Sequence, residues 1–250
     1  MIIRIKNAIR MVGIIGLIKI FLLKINIFFL RKVGTTSFSQ LFEDHFIDKY
    51  FNHKKKGFYV DIGANDPACI NNTKLFYCKG WKGMNIEPNT GLFKKFLSKR
   101  GRDINLNIGI GHEKGLHDFY VFKNHVYSTF SKEEAGKRIS KGFSVEIKKV
   151  EVDRLENILA KHLPKDHVID FFSIDTEGYD MVVLKTNDWK KFRPKLICIE
   201  VADCNKKSIS KDRGIINYLN SMGYKEIFFN GINSILIDTS KNHGISNYKN

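Results

Sequence analysis

Residues Gly57 to Asn89 read GFYVDIGANDPACINNTKLFYCKGWKGMNIEPN. The stretch falls into a short apolar run, a polar turn, a helical segment and a second apolar run. Phe58–Ile62 (FYVDI) and Gly83–Ile86 (GMNI) are brief and rich in apolar side chains, which suits strands buried on both faces. Asn71–Lys79 reads as the helix between them. Strand, crossover helix and strand make a right-handed βαβ unit, and that unit predicts a parallel sheet.

The same alternation continues outward. Ile104–Ile108, Val168–Ile174 and Leu196–Val201 read as further strands, and Asn89–Lys99, Val152–His162 and Gly178–Lys185 as helices. The fold class is therefore α/β, a mostly parallel sheet with helices on both faces. The interval from Gly111 to Val152 breaks the rhythm: Leu116–Phe122 and Phe143–Val152 read as extra strands, and the polar Asn124–Gly142 as loop or short helix. It is an insertion, at about 111–152, of the kind that covers a substrate over the sheet's edge. Towards the C-terminus a helix at Ile215–Met222 precedes Tyr224–Phe229 and Ile232–Ile237. The intervening Asn230-Gly231 favours positive φ and a tight antiparallel hairpin.

With 250 residues, 43% hydrophobic and 27% charged, and only 4 Pro, the chain is globular and needs no disulfide or metal staple. Its four cysteines form no C-x-x-C pair and its histidines no metal-binding pattern, so a reducing cytoplasm is the simplest setting. The net charge of +16 is uneven. Residues 1–56 carry 11 Lys/Arg against 3 Asp/Glu, a net of +8, and the remaining 194 carry the other +8. A basic helical appendage (1–56) followed by a milder domain (57–250) suits an anionic surface better than a duplex groove. Within it, Met11–Leu30 is the most apolar stretch, but Lys19 and Lys24 interrupt it, each at about 2.5–3.5 kcal/mol near a bilayer centre. The preferred reading of residues 1–34 is an in-plane amphipathic helix, peripheral at the inner face of the membrane. A helix packed on the protein's own core, or a genuine anchor, are the alternatives.

In an open parallel sheet, ligands bind outside the carboxyl ends of the strands. The first strand ends in Asp61-Ile62-Gly63-Ala64-Asn65, where glycine permits close backbone approach. The second ends in Glu87-Pro88, and an acid there suits ribose hydroxyls. There is no G-x-G-x-x-G and no phosphate loop, which argues against a dinucleotide. A nucleoside whose other half is not a diphosphate fits, and S-adenosylmethionine answers that description.

The ordered motifs D-x-G-A-x-D-P (Asp61–Pro67), N-T, G-W-x-G, I-E-P (Ile86–Pro88) and D-x-E-G (Asp175–Gly178) resemble the FkbM family of S-adenosylmethionine-dependent methyltransferases, over roughly Gly57 to Val201. The resemblance implies the class I methyltransferase sheet. It also implies that Asp61, Gly63 and Asn65, with Ala64, line the cofactor's methionine moiety, that Glu87, followed by Pro88, holds the ribose, and that Asn107 lies beside the adenine. Asp175, Glu177 and Glu200 would stand at neighbouring strand ends on the acceptor side. Crowding there would raise at least one pKa, as a base requires, or create a divalent cation site. Ser128-Thr129-Phe130, within the insertion, resembles a segment of the same family, and its two readings are a contact with the acceptor and a solvated loop. The implied reaction is O-methylation of a hydroxyl, on a sugar or glycan intermediate. The rival functions are a nucleic-acid (RNA) methyltransferase, against which the missing N-P-P-Y tetrapeptide counts, and a non-catalytic membrane-associated binding protein.

Overall fold

The computed structural model describes residues 37–165, 167–203 and 210–240. Its main sheet has seven strands: β1 (Phe58–Ile62), β2 (Lys82–Ile86), β3 (Ile104–Leu106), β7 (Phe171–Ile174), β8 (Leu196–Glu200), β11 (Tyr224–Phe229) and β12 (Asn233–Asp238). The order is β11-β12-β8-β7-β1-β2-β3. Pairings from β3 through β8 are parallel, and β12 and β11 close one edge antiparallel. The chain leaves β1 towards β2 and β3, then returns to the other side of β1 for β7 and β8. Strand order thus reverses at the β1/β7 boundary, which is where a doubly wound sheet opens a crevice.

Alternation along β1 explains why both faces are covered. Phe58, Val60 and Ile62 join one buried cluster with Phe172, Ile197 and Ile199. Tyr59 joins the other with Phe76, Trp81, Phe171 and Ile235. The helices are α1 (Glu43–Tyr50), α2 (Lys74–Cys78), α3 (Thr90–Lys99), α4 (Lys132–Ser140), α5 (Leu155–His162), α6 (Asp180–Lys185) and α7 (Arg213–Ser221). The predicted insertion supplies β5 (Gly115–Phe122), α4 and nearly all of β6 (Val145–Asp153), and β4 (Gly109–Ile110), just before it, completes a second sheet in the order β4-β6-β5. A two-stranded pair, β9 (Ala202–Asp203) and β10 (Ser210–Lys211), follows β8.

Several boundaries differ from the sequence reading, each for a local reason. The third strand ends at Leu106, because the chain turns there to enter the second sheet at Gly109. The fourth begins at Phe171: buried Asp170 accepts the Phe58 amide and both Lys54 and Lys195, while Val168 is 60% exposed. The helix expected over Asn71–Lys79 contracts to α2, since the Asn71 and Thr73 side chains are committed to Asp61. β6 runs on through Asp153, so the helix expected from Val152 starts at Leu155. The one expected from Gly178 starts at Asp180, because Glu177 (φ 55°) and Gly178 (φ 87°) are left-handed. Asn124–Gly142 contains the nine-residue α4, whose first turn is capped by the Ser131 hydroxyl. In the hairpin only Gly231 of the Asn-Gly pair has positive φ (97°), while the Asn230 carboxamide oxygen accepts the Ile232 and Asn233 amides.

Residues 37–56, assigned from sequence to the appendage, are built into the domain. Ile47 of α1 is fully buried, Phe46 stacks on Phe228 at 4.4 Å, and the Glu43 carboxylate accepts the Asn230 and Asn233 carboxamides. The expected helix at Met11–Leu30 lies outside the described residues. Among those described, no helix is long and apolar enough to cross a membrane.

Candidate active site

The C-terminal ends of β1, β2, β7 and β8 converge on one cleft of about 700 Å³, within the usual span of small-molecule sites. Gly63 makes the convergence geometrically feasible. Its φ is +73°, and a Cβ there would fall 2.0 Å from the Asp175 carbonyl oxygen. Only glycine lets the exit of β1 lie against the exit of β7.

Asp61, at the end of β1, is buried. One carboxylate oxygen accepts the Thr73 hydroxyl at 2.7 Å and the Asn71 carboxamide at 3.3 Å. Desolvation pushes its pKa up to about 6 against those bonds and one from Ser173. Glu87 bridges the two turns: one oxygen accepts the Asn65 amide and the other the Asn89 amide, each at 2.7 Å. Burial without a counter-charge pushes Glu87 up to about 8. Each of its oxygens keeps a second lone pair for a hydroxyl donor. Ala64, Asn65 and Pro88 line the same half of the cleft. Asn107 does not. Its carboxamide donates to the Glu87 and Pro88 carbonyls at 2.8 and 3.0 Å, tying down the turn, and Ile108 lines the cleft in its place.

The other half is acidic. Asp175, Glu177 and Glu200 each bring a carboxylate oxygen within 4.8 Å of the other two. Asp175 and Glu200 share a hydrogen bond. Desolvation raises all three carboxyl pKa values, and mutual repulsion raises Glu177 and Glu200 further. Asp175 is the more exposed of the pair, and Glu200 is pushed up the further, by burial and by repulsion from Asp175, Glu177 and Asp180. Glu177 is offset by Arg138, whose guanidinium lies 2.8 Å away. Beneath them, buried Asp180 accepts the Thr176 amide and hydroxyl and the Gly178 amide, fixing the left-handed turn.

The insertion forms the outer wall. Ser128, Thr129 and Phe130 all line the cleft; Phe130 packs on Tyr179 at 5.9 Å between centroids, and Glu134 of α4 lies over Gly178. Sequence reasoning missed Arg138 and Asp180. For Asp180 a signal existed, an acid two residues past the glycine of D-x-E-G and in the first turn of the helix expected from Gly178. For Arg138 there was none.

The donor set suits an S-adenosyl ligand. The acidic wall of Asp61, Asp175 and Glu200 complements a ligand carrying positive charge, Glu87 can receive a diol, and the Asn65 carboxamide oxygen is buried with no hydrogen-bond partner among the described residues.

Residues 61–226 match the family described as the methyltransferase FkbM domain. No curated protein matches. Among solved structures, the FkbM methyltransferase from Methylobacillus flagellatus KT aligns at 13% identity and a TM-score of 0.43, over 73% of this chain and 44% of that one. The METTL16 MTase domain aligns at 12% identity and 0.43, over 77% of this chain and 64% of that one. The chain therefore spans less than two thirds of either solved chain.

Proposed function

On the premise that this chain belongs to the FkbM family of S-adenosylmethionine-dependent methyltransferases, we propose that it O-methylates a hydroxyl of a sugar or glycan intermediate. The observation that carries this reading is one cleft joining two halves: the Asp61–Asn65 turn with Glu87, and the hydrogen-bonded Asp175–Glu200 pair with Glu177. When bound, the sulfonium cofactor supplies an electrophilic methyl group and a neutral leaving thioether. The chain's own work is then positioning and proton acceptance. Glu87 receives the ribose hydroxyls. Asp61 lies close beneath the Gly63–Asn65 turn and contributes negative potential. Asp175, the less protonated member of its pair, accepts the proton of the attacking hydroxyl. Glu177 and Arg138 hold the acceptor side in register. The same three carboxylates offer a divalent cation a seat, but Arg138 already pairs with Glu177, so proton acceptance is the use we assign them. The basic segment 1–34 holds the enzyme at the anionic inner face of the cytoplasmic membrane.

Calorimetry with S-adenosylhomocysteine tests the cofactor seat. The wild type should bind, and Glu87→Ala should lose roughly 1–3 kcal/mol, about ten- to a hundredfold in affinity, having lost a buried charged acceptor. A wild type that gives no heat, or a Glu87→Ala variant that binds equally well, removes the reading.

A further inference from the structure

The acceptor half of the cleft is bipolar, and its two poles come from different parts of the fold. The acids Asp175, Glu177 and Glu200 stand at or just past the ends of β7 and β8. The three Lys/Arg side chains that line the cleft, Lys137, Arg138 and Lys141, all come from α4 and its C-cap. With Glu134, which also lines the cleft, they follow the spacing i, i+3, i+4, i+7, a single stripe of a helix.

Two of these cations are already paired. Lys137 lies 2.7 Å from both Glu133 and Glu134, and Arg138 lies 2.8 Å from Glu177. Lys141 bonds to no carboxylate among the described residues. Nor does the helix end require its side chain. The Lys141 and Phe143 amides donate to the Arg138 carbonyl at 3.1 and 3.2 Å, and the Gly142 amide donates to that of Ile139 at 2.8 Å, so backbone alone closes the last turn.

The surroundings of Lys141 are those of a sugar subsite. Three residues on from Arg138, its Cβ lies about 5–6 Å from that of Arg138, and so adjoins the acids. The Tyr127 ring lies 5.5 Å from the Arg138 guanidinium and 5.7 Å, edge-on, from the Phe143 ring, so it touches residues on both sides of Lys141 in the chain. The Ser128 hydroxyl oxygen accepts the Phe122 amide at 3.2 Å and keeps its hydrogen to donate. Tyr127 and Ser128 both line the cleft.

We propose that the acceptor carries an anionic group, a carboxylate or a phosphate ester, on the sugar that bears the methylated hydroxyl, and that Lys141 receives it. This rests on the methyl-transfer reading and names its substrate class. The acidic pole repels the anionic group and Lys141 attracts it, which turns the ring so that a hydroxyl faces Asp175.

The test uses the full chain saturated with S-adenosylhomocysteine and titrated with three probes: methyl glucoside, methyl glucuronide and the primary phosphate ester of methyl glucoside. The better of the two charged probes should bind about tenfold more tightly than the glucoside, the worth of one charged hydrogen bond, and which of them is better separates a uronic acid from a sugar phosphate. Lys141→Met should abolish the preference and Lys141→Arg should keep it. Lys82→Met, which removes the same charge from the basic hollow at the opposite end of the strands, should also keep it. A glucoside that binds as tightly as both charged probes, no binding of either charged probe, a preference that survives Lys141→Met, or an equal loss in Lys82→Met overturns the proposal. Failure here is distinct from failure of the methyl-transfer reading: a chain that binds S-adenosylhomocysteine and methylates a neutral glycan keeps that reading and loses this one.

Discussion

Arg138 is the one guanidinium that meets the acidic end of the cleft among the described residues. It pairs with Glu177, donates to the Tyr127 carbonyl and lies over the Tyr127 ring at 5.5 Å. Replacing it with methionine keeps much of its volume and removes its charge. Glu177 would then face Asp175 and Glu200 with no counter-charge, and every ionisation in the cluster becomes harder. Arg138→Met should lower kcat at least tenfold, about 1.4 kcal/mol, and move the rise of rate with pH to higher pH. S-adenosylhomocysteine affinity should stay within a factor of about three, since Arg138 bonds Glu177 and the Tyr127 carbonyl and makes no bond to Glu87. An unchanged pH profile would remove Arg138 from the acceptor machinery. The acids it serves were legible in the sequence because a carboxylate directly after an apolar strand has few structural uses. Arg138 was not, because α4 buries only Ala135 and its periodicity is too faint to mark a helix, let alone to say which face meets the cleft.

At the scale of elements, the cofactor half depends on how α3 holds the 63–73 loop. Arg100, at the C-terminal end of α3, is fully buried and spreads its guanidinium over three partners. These are the Pro67 carbonyl at 3.1 Å, the Tyr59 hydroxyl at 2.9 Å and the Asn71 carboxamide oxygen at 2.8 Å. Asn71 in turn holds Asp61 and the Ala64 carbonyl. The fork cannot be reproduced by a point charge. Arg100→Lys should therefore loosen the turn without touching the ligand, raising the S-adenosylhomocysteine dissociation constant roughly tenfold, about 1.4 kcal/mol, while kcat at saturation changes little. A matching fall in kcat with unchanged affinity would place Arg100 outside the cofactor loop's support. Of the strands, β1 and β2 were legible to within a residue, because burial on both faces leaves a largely apolar run. The α2 boundary was not, since its expected first turn is consumed by side-chain bonds to Asp61, a tertiary demand that no local propensity encodes.

For the molecule as a whole, the cleft concentrates buried carboxyls, and that sets how stability depends on pH. Asp238 works in the ordinary direction: Arg193 grips it through two nitrogens, at 3.1 and 2.6 Å, and holds its pKa well below the usual range. Its contribution is present above the unfolded pKa near 4 and is lost as pH falls through the folded value. Asp61, Asp180 and Glu87 work in reverse. Their folded values are raised, to about 6, about 6 and about 8, so the native state holds protons that the unfolded chain has released. Stability from these groups is complete below the unfolded pKa and declines as pH rises from about 4 through 8, with each tenfold difference in proton affinity between the folded and unfolded chain worth about 1.4 kcal/mol. The ligand-free enzyme should thus melt at a higher temperature at pH 5 than at pH 8, despite a net charge of +16 whose self-repulsion grows as carboxylates protonate. Saturating S-adenosylhomocysteine should narrow that gap, because hydroxyl donors at Glu87 stabilise its ionised form and an ammonium offsets the acidic wall. Calorimetric melting across pH 4–9, with and without the ligand, measures both. A Tm that climbs steadily from pH 5 to 8 in the free protein would mean that these carboxyls are ionised and compensated in the empty cleft, and that their burial does not govern the site.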